Sequence, residues 1–180
     1  MISVDDLVAK VKSSEIEHVV LTGGEPMLFD PIVDLATELK ALGHVITIET
    51  AGTIYRDLPC DLMSISPKLA NSTPVNEPTW KNRHDEARLN FDSLQQLIDR
   101  YHYQLKFVVN PDTGGDLTEI EGILERLTGV IPSNVLLMPE GTDSDNLHRR
   151  ARLLVEPVMK RNWRLTQRLH IDLFGNTKGT

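Results

Sequence analysis

Cysteine is almost missing from this chain: there is one, Cys60, in 180 residues. A single thiol excludes an intramolecular disulfide, and it excludes any metal or cluster site built from several thiolates of this chain alone. Aromatic residues are few as well, at 5%, and no apolar run approaches the roughly 20 residues needed to span a bilayer. The start, MISVDDLVAKVK, lacks the apolar stretch of a signal peptide and reads as a cytoplasmic protein. An excess of positive charge is also lacking. Acidic residues outnumber basic ones 26 to 19, for a net charge of -7, so no global field draws the chain to nucleic acid or to an anionic membrane. What is present is ordinary: 40% hydrophobic and 25% charged residues, enough to bury a core as one domain over residues 1–180.

Apolar residues recur at helical spacing in Val4, Leu7, Val8 and Val11 behind the cap Ser3, which predicts a first helix. His18 to Leu21 is a short β-branched run, and Ile32, Leu35, Ala36 and Leu39 then mark a helix over Pro31 to Leu42 that Gly43 stops. The alternation continues with strands at Val45 to Ile48, Leu62 to Ile65, Leu105 to Val109 and Val135 to Met138. Helices are predicted at Phe91 to Tyr103, Asp116 to Leu127 and Asp145 to Arg161, and a last strand over Arg164 to Ile171. Six short apolar strands alternating with helices predict an α/β fold, a parallel sheet with outer helices whose strands are buried on both faces. Periodicity does not choose between a closed barrel and an open sheet. Ala70 to Arg88 breaks the rhythm with prolines and asparagines and reads as a surface loop.

In parallel α/β folds the carboxyl ends of the strands carry the site. Thr22-Gly23-Gly24-Glu25-Pro26 stands at such an end. Glycines admit a ligand to bare backbone amides, a carboxylate accepts from an ammonium group, and proline fixes the exit direction, a set suited to gripping an amino acid. By spacing alone, a tight turn with an exposed Glu accounts for it equally well. Glu49-Thr50-Ala51-Gly52-Thr53 ends the next strand and by itself reads as a turn. Ser66-Pro67-Lys68 offers a hydroxyl and an ammonium to a ribose hydroxyl or a carboxylate, although Lys68 alone reads as a solvated charge. Met138-Pro139-Glu140-Gly141-Thr142-Asp143 ends the fifth strand, where Pro139 turns the backbone outward and exposes carbonyls to a flat ligand such as adenine.

Taken in order, HVVLTGGEPML, IETAGT, LMSISPKL and LLMPEGTD resemble the radical S-adenosylmethionine superfamily. SISPK, LMPEGTD and the tail QRLHIDLFGNTKGT narrow the resemblance to the 7-carboxy-7-deazaguanine synthases of queuosine biosynthesis. It implies a partial (β/α) barrel of the radical S-adenosylmethionine type with the first strand missing. It also implies that Gly23, Gly24 and Glu25 face the methionine moiety of S-adenosylmethionine, that Ser66, Pro67 and Lys68 take the ribose and carboxylate side, and that Met138, Pro139, Glu140 and Gly141 take the adenine. Thr22 and the terminal carboxylate of Thr180 match positions that hold the pterin substrate, with Glu49 and His170 as further contacts; a satisfied core histidine is the other reading of His170. The implied reaction is a radical ring contraction of 6-carboxy-5,6,7,8-tetrahydropterin to 7-carboxy-7-deazaguanine with loss of ammonia, assisted by Mg²⁺. The implied partners are a flavodoxin-like electron donor and a second copy in a homodimer.

The same resemblance marks a gap. Family members hold a four-iron, four-sulfur cluster on a three-cysteine loop, CxxxCxxC, and part of their Mg²⁺ site follows it; this chain has neither motif. Cys60 lies between two predicted strands, one thiolate does not bind such a cluster, and the residue reads as small and half-buried. Two explanations are open, a shortened sequence of an ordinary enzyme or a chain that has lost its cluster, and the retained cofactor positions favour the first. Either way the expectation is no turnover by this chain alone. The rival readings are another radical S-adenosylmethionine enzyme, such as an activase, and a cluster-free protein that holds a pterin or nucleoside without converting it.

Overall fold

The computed structural model describes residues 2–73 and 88–177. In chain order its elements are α1 (Val4–Ser13), β1 (His18–Leu21), α2 (Pro31–Ala41), β2 (Val45–Thr50), β3 (Leu62–Ile65), α3 (Phe91–Arg100), β4 (Tyr103–Val109), α4 (Asp116–Glu125), β5 (Val135–Pro139), α5 (Ser144–Arg161), β6 (Arg164–Leu165) and α6 (Leu169–Phe174). The strands form one open sheet in the order β1-β2-β3-β4-β5-β6, the α/β fold that the apolar pattern predicts. The chain divides into two compact units, Met1–Ser66 with Asn90–Gln104, and Pro67–Leu89 with Leu105–Thr180.

In the first unit, β1 runs parallel to β2 with His18 opposite Val45, and β2 parallel to β3 with Thr50 opposite Ile65. The helices start where the chain supplies caps. Ser3 accepts from the Asp6 amide ahead of α1, Asn90 accepts from the Ser93 amide ahead of α3, and Pro31 opens α2, where a missing N–H costs nothing. Leu35, Ala36 and Leu39 of α2 are buried, as are Ile46 and Ile48 of β2, Met63 and Ile65 of β3, and Leu94 and Leu97 of α3. Each large side chain among them stabilises by about 1.5–3 kcal/mol relative to exposure. The two-faced burial predicted for every strand fails at β1, whose residues alternate exposed and half-buried, with Val20 54% exposed. It pairs only with β2 among the described residues, so its outward side chains lack the cover that a central strand has.

In the second unit, β4 runs parallel to β5 with Leu105 opposite Val135 and Val109 opposite Pro139, and β5 pairs with β6 at Leu136 and Arg164. Phe107, Leu105, Ile120, Leu137 and Leu154 form its core. Asp143 caps α5 by accepting from the Asn146 amide, and Asn162, at φ 55°, ends it in the left-handed conformation. The last predicted strand is a correction: only Arg164–Leu165 is strand, and Leu169–Phe174 is helix. Leu169, Ile171 and Leu173 alternate as a strand would, but only Ile171 is buried, and the Ile171 and Asp172 amides turn back to the Arg168 carbonyl. Among the described residues no helix is long and apolar enough to cross a membrane.

Candidate functional site

In the first unit one carboxylate ties the loop after β1 to the end of β2, and a backbone hydrogen bond brings the end of β3 alongside. After β1 the chain passes Thr22, Gly23 and Gly24, all exposed, and a Cβ built at either glycine would meet nothing within 4 Å. Their backbone is therefore open to a ligand. Glu25 then points inward. Its Oε1 accepts from the Met27 amide at 3.1 Å and from Thr50 Oγ1 at 2.7 Å, and its Oε2 accepts from the Ala51 amide at 2.9 Å. The exposed turn Glu allowed by spacing is thus excluded: the side chain is half-buried and joins the loop after β1 to the end of β2. Pro26 and Met27, both buried, start a single 3₁₀ turn that Glu25 caps.

The end of β2 is equally ordered. Thr50 is buried, its Oγ1 also accepts from the Gly52 amide at 3.0 Å, and its carbonyl accepts from the Ser66 amide at 2.7 Å, which brings the end of β3 alongside. Gly52 has φ 77°, and a Cβ there would stand 2.4 Å from Leu94 Cδ2, so the glycine is required both by backbone conformation and by space. Thr22 and Glu49, two of the predicted substrate contacts, are brought together: Thr22 Oγ1 donates a long 3.4 Å hydrogen bond to Glu49 Oε2.

In the second unit Pro67 is buried and Lys68 exposed, its carbonyl accepting from Arg88 Nη1 at 2.9 Å. Glu119 of α4 holds this segment by accepting from the Ala70 amide and from Arg88. At the end of β5, Met138 is half-buried, Pro139 buried and Glu140 exposed. The Glu140 amide donates to the Val109 carbonyl at 2.8 Å, and its own carbonyl accepts from Arg150 Nη1 at 2.6 Å. A guanidinium thus already bonds this carbonyl, one of the backbone groups that follow Pro139. Gly141, at φ 147°, passes Leu147 so closely that a Cβ would lie 3.2 Å from Cδ2.

Arg150 is held in turn by Asp112, which accepts from Arg150 Nε at 2.8 Å and from both terminal nitrogens of Arg149. Those hydrogen bonds, from Arg149 first and Arg150 next, hold the Asp112 carboxyl well below the usual carboxylate range. Sequence reasoning missed Asp112, Arg149 and Arg150. Their only signal is an Arg pair on a helix about two turns past the Asp143 cap, which in sequence looks like any solvated face.

His170 is exposed on α6, which excludes the core-histidine reading. Thr180 lies outside the described residues, as does the central part, 74–87, of the predicted loop. A cleft of ≈ 490 Å³ in the second unit is lined by Asn110, Gly115, Asp116, Leu154, Pro157 and Arg161, and none of the predicted site residues lines it.

The iron–sulfur cluster implied by the resemblance does not fit these residues. Cys60 is half-buried, and burial, reinforced by the neighbouring Asp61 carboxylate, pushes its thiol up to about 11, the opposite of what a thiolate ligand needs. Among the described residues no group of three His, Cys, Asp or Glu side chains is arranged to hold a metal ion. The cofactor's amino-acid end is a different matter: open glycine backbone beside an oriented carboxylate is the donor and acceptor set that an ammonium and carboxylate require.

Comparison with known proteins places the chain in a family. The 7-carboxy-7-deazaguanine synthase of Halobacterium salinarum is 44% identical over 190 residues, covering 99% of this chain and 73% of its own. The enzyme of the same name from Rhodopirellula baltica is 40% identical, covering 99% of this chain and 69% of its own. The crystal structure of QueE from Escherichia coli superposes with a TM-score of 0.65 at 26% identity over 93% of this chain, which spans 64% of that one. No family model matches the chain.

Proposed function

Because the chain belongs to the 7-carboxy-7-deazaguanine synthase family, we propose that it holds S-adenosylmethionine and a carboxylated tetrahydropterin at its strand ends and does not convert them by itself. The family reaction is the ring contraction of 6-carboxy-5,6,7,8-tetrahydropterin with loss of ammonia, a carbon–nitrogen lyase chemistry of queuosine biosynthesis. It needs a reducing cluster that one high-pKa thiol does not supply, and no step through that cluster is assigned to these residues.

The observation that carries the proposal is the Glu25 carboxylate, fixed by three hydrogen bonds next to the open backbone of Gly23 and Gly24. In the first unit these residues take the methionine end and Ser66 a ribose hydroxyl, while Thr22 and Glu49 take the pterin. In the second unit Pro67, Lys68 and Met138 to Gly141 serve the nucleoside side, and His170, exposed, is available to the pterin. The roles of Thr180, of a flavodoxin-like donor, of Mg²⁺ and of a homodimer follow the resemblance, and a cytoplasmic location follows the reading of the start MISVDDLVAKVK. Two measurements test the proposal. Calorimetry of the purified chain with S-adenosylmethionine is expected to show saturable binding, and incubation with a strong reductant is expected to release no 5'-deoxyadenosine. Absent binding removes the first half of the proposal, and released nucleoside removes the second.

A further inference from the structure

We propose that Thr50 is a positioning residue that aims the Glu25 carboxylate at a ligand ammonium group; this rests on the reading of Glu25 as the methionine-end contact. The geometry leaves the Thr50 hydroxyl little choice. It is buried, at 3% exposure, and one of its lone pairs is taken by the Gly52 amide at 3.0 Å, so its proton goes to Glu25 Oε1 at 2.7 Å. A relay runs from the Gly52 N–H through Thr50 to the carboxylate. Gly52 cannot drift, because its own position is enclosed by Leu94 and Ile65.

The carboxylate is thereby nearly saturated. An ionised Glu offers about four acceptor positions, two on each oxygen. Oε1 spends both, on Met27 and Thr50, and Oε2 spends one on Ala51. One acceptor position on Oε2 remains, in a direction set by the other three bonds. A cation that reaches Glu25 meets a single aimed acceptor and a full charge. That arrangement suits a primary ammonium better than a bidentate guanidinium, which needs both oxygens.

Three variants and two ligands test this on the chain as it stands. S-adenosylmethionine carries the amino-acid end; 5'-methylthioadenosine has the same nucleoside without it. Thr50→Val keeps the shape and removes the hydroxyl, Thr50→Ser keeps the hydroxyl, and Thr50→Ala stands in for the valine variant should that one not fold. The expected result is a loss of roughly tenfold in affinity for S-adenosylmethionine in Thr50→Val, recovery in Thr50→Ser, and an unchanged affinity for 5'-methylthioadenosine in all. Hydrogen exchange at the Ala51 amide is expected to accelerate in Thr50→Val and not in Thr50→Ser. Equal losses for both ligands, or a serine variant as weak as the valine one, mean that Thr50 only supports the fold, and they overturn the inference while leaving Glu25 as the contact. Wild-type protein that binds both ligands equally overturns the reading of Glu25 itself, and the inference falls with it.

Discussion

The strand ends of the first unit and those of the second solve one problem, holding an irregular loop still, with opposite physics. In the first, uncharged donors surround one half-buried carboxylate: two backbone amides and the hydroxyl of Thr50. In the second, three charged side chains near the surface do the work. Arg150, 13% exposed, bridges the Glu140 carbonyl to Asp112, which is 34% exposed and shared with Arg149. Charges in reach of water are screened over about 10 Å at 0.1 M salt, whereas short hydrogen bonds to a sheltered carboxylate are not. The first unit's site is thus set by burial and the second's by ions, and their responses to mutation, salt and pH should separate.

The largest effect is expected from Gly52→Ala. The new methyl carbon would sit 2.4 Å from Leu94 Cδ2 and 2.7 Å from Ile65 Cγ2 at a φ of 77°, so overpacking and backbone strain together should cost ~3 kcal/mol in urea unfolding. A loss below 1 kcal/mol would show that Leu94 gives way and that the first unit's strand ends are softer than described. Next comes Glu25→Gln, which keeps the shape, exchanges one acceptor oxygen for a donor and leaves Thr50 or Ala51 without its partner. Its expected cost is about 1–3 kcal/mol, the same in 0.05 M and 1 M salt.

Arg150→Gln should destabilise less than Glu25→Gln, and its effect should shrink as salt rises; equal salt sensitivity of the two variants would erase the contrast between the units. Asp112 adds a pH signature. Its folded-state pKa is depressed, so the stability it contributes is present above the ordinary carboxylate range and is lost as pH falls through that range toward the folded value. The gap in melting temperature between wild type and Asp112→Asn should therefore be full at neutral pH and close under acid. A gap that widens on acidification would overturn this ordering of charges. The smallest effect concerns Cys60, the mark of burial in the first unit. Iodoacetamide should label it far more slowly than free cysteine at pH 8, with the rate rising steadily with pH and levelling off only near about 11.

Much of this was legible beforehand, for identifiable reasons. His18–Leu21 and Leu62–Ile65 match their predicted limits because short, mostly apolar runs between turn residues have few other uses. Helix starts at Ser3 and Asn90 follow from side-chain chemistry local to the chain. Arg164 to Ile171 misled because period-2 apolarity in a short stretch is compatible with a one-sided helical turn. At the site, Gly23, Gly24 and Glu25 were visible as a cluster, but the direction of the Glu25 side chain was not. Thr50 lay inside a quoted motif with no sign that its hydroxyl mattered. Arg150 and Asp112 were invisible, since 38 residues separate them in the chain.

By itself the sequence determined the α/β alternation, the family and the polar clusters that end the strands, because hydrophobic period, caps and glycine punctuation act over a few residues. It also determined, by its single cysteine, that the chain supplies no cluster of thiolates. Only the tertiary structure decided that Glu25 is an inward strut with one acceptor to spare, and that Arg150 occupies the Glu140 carbonyl. It alone pushed the Cys60 thiol up to about 11. Each of these depends on which distant donors and apolar walls come to lie around a group, and a hydrogen bond or a desolvated thiol exists only once those neighbours are in place.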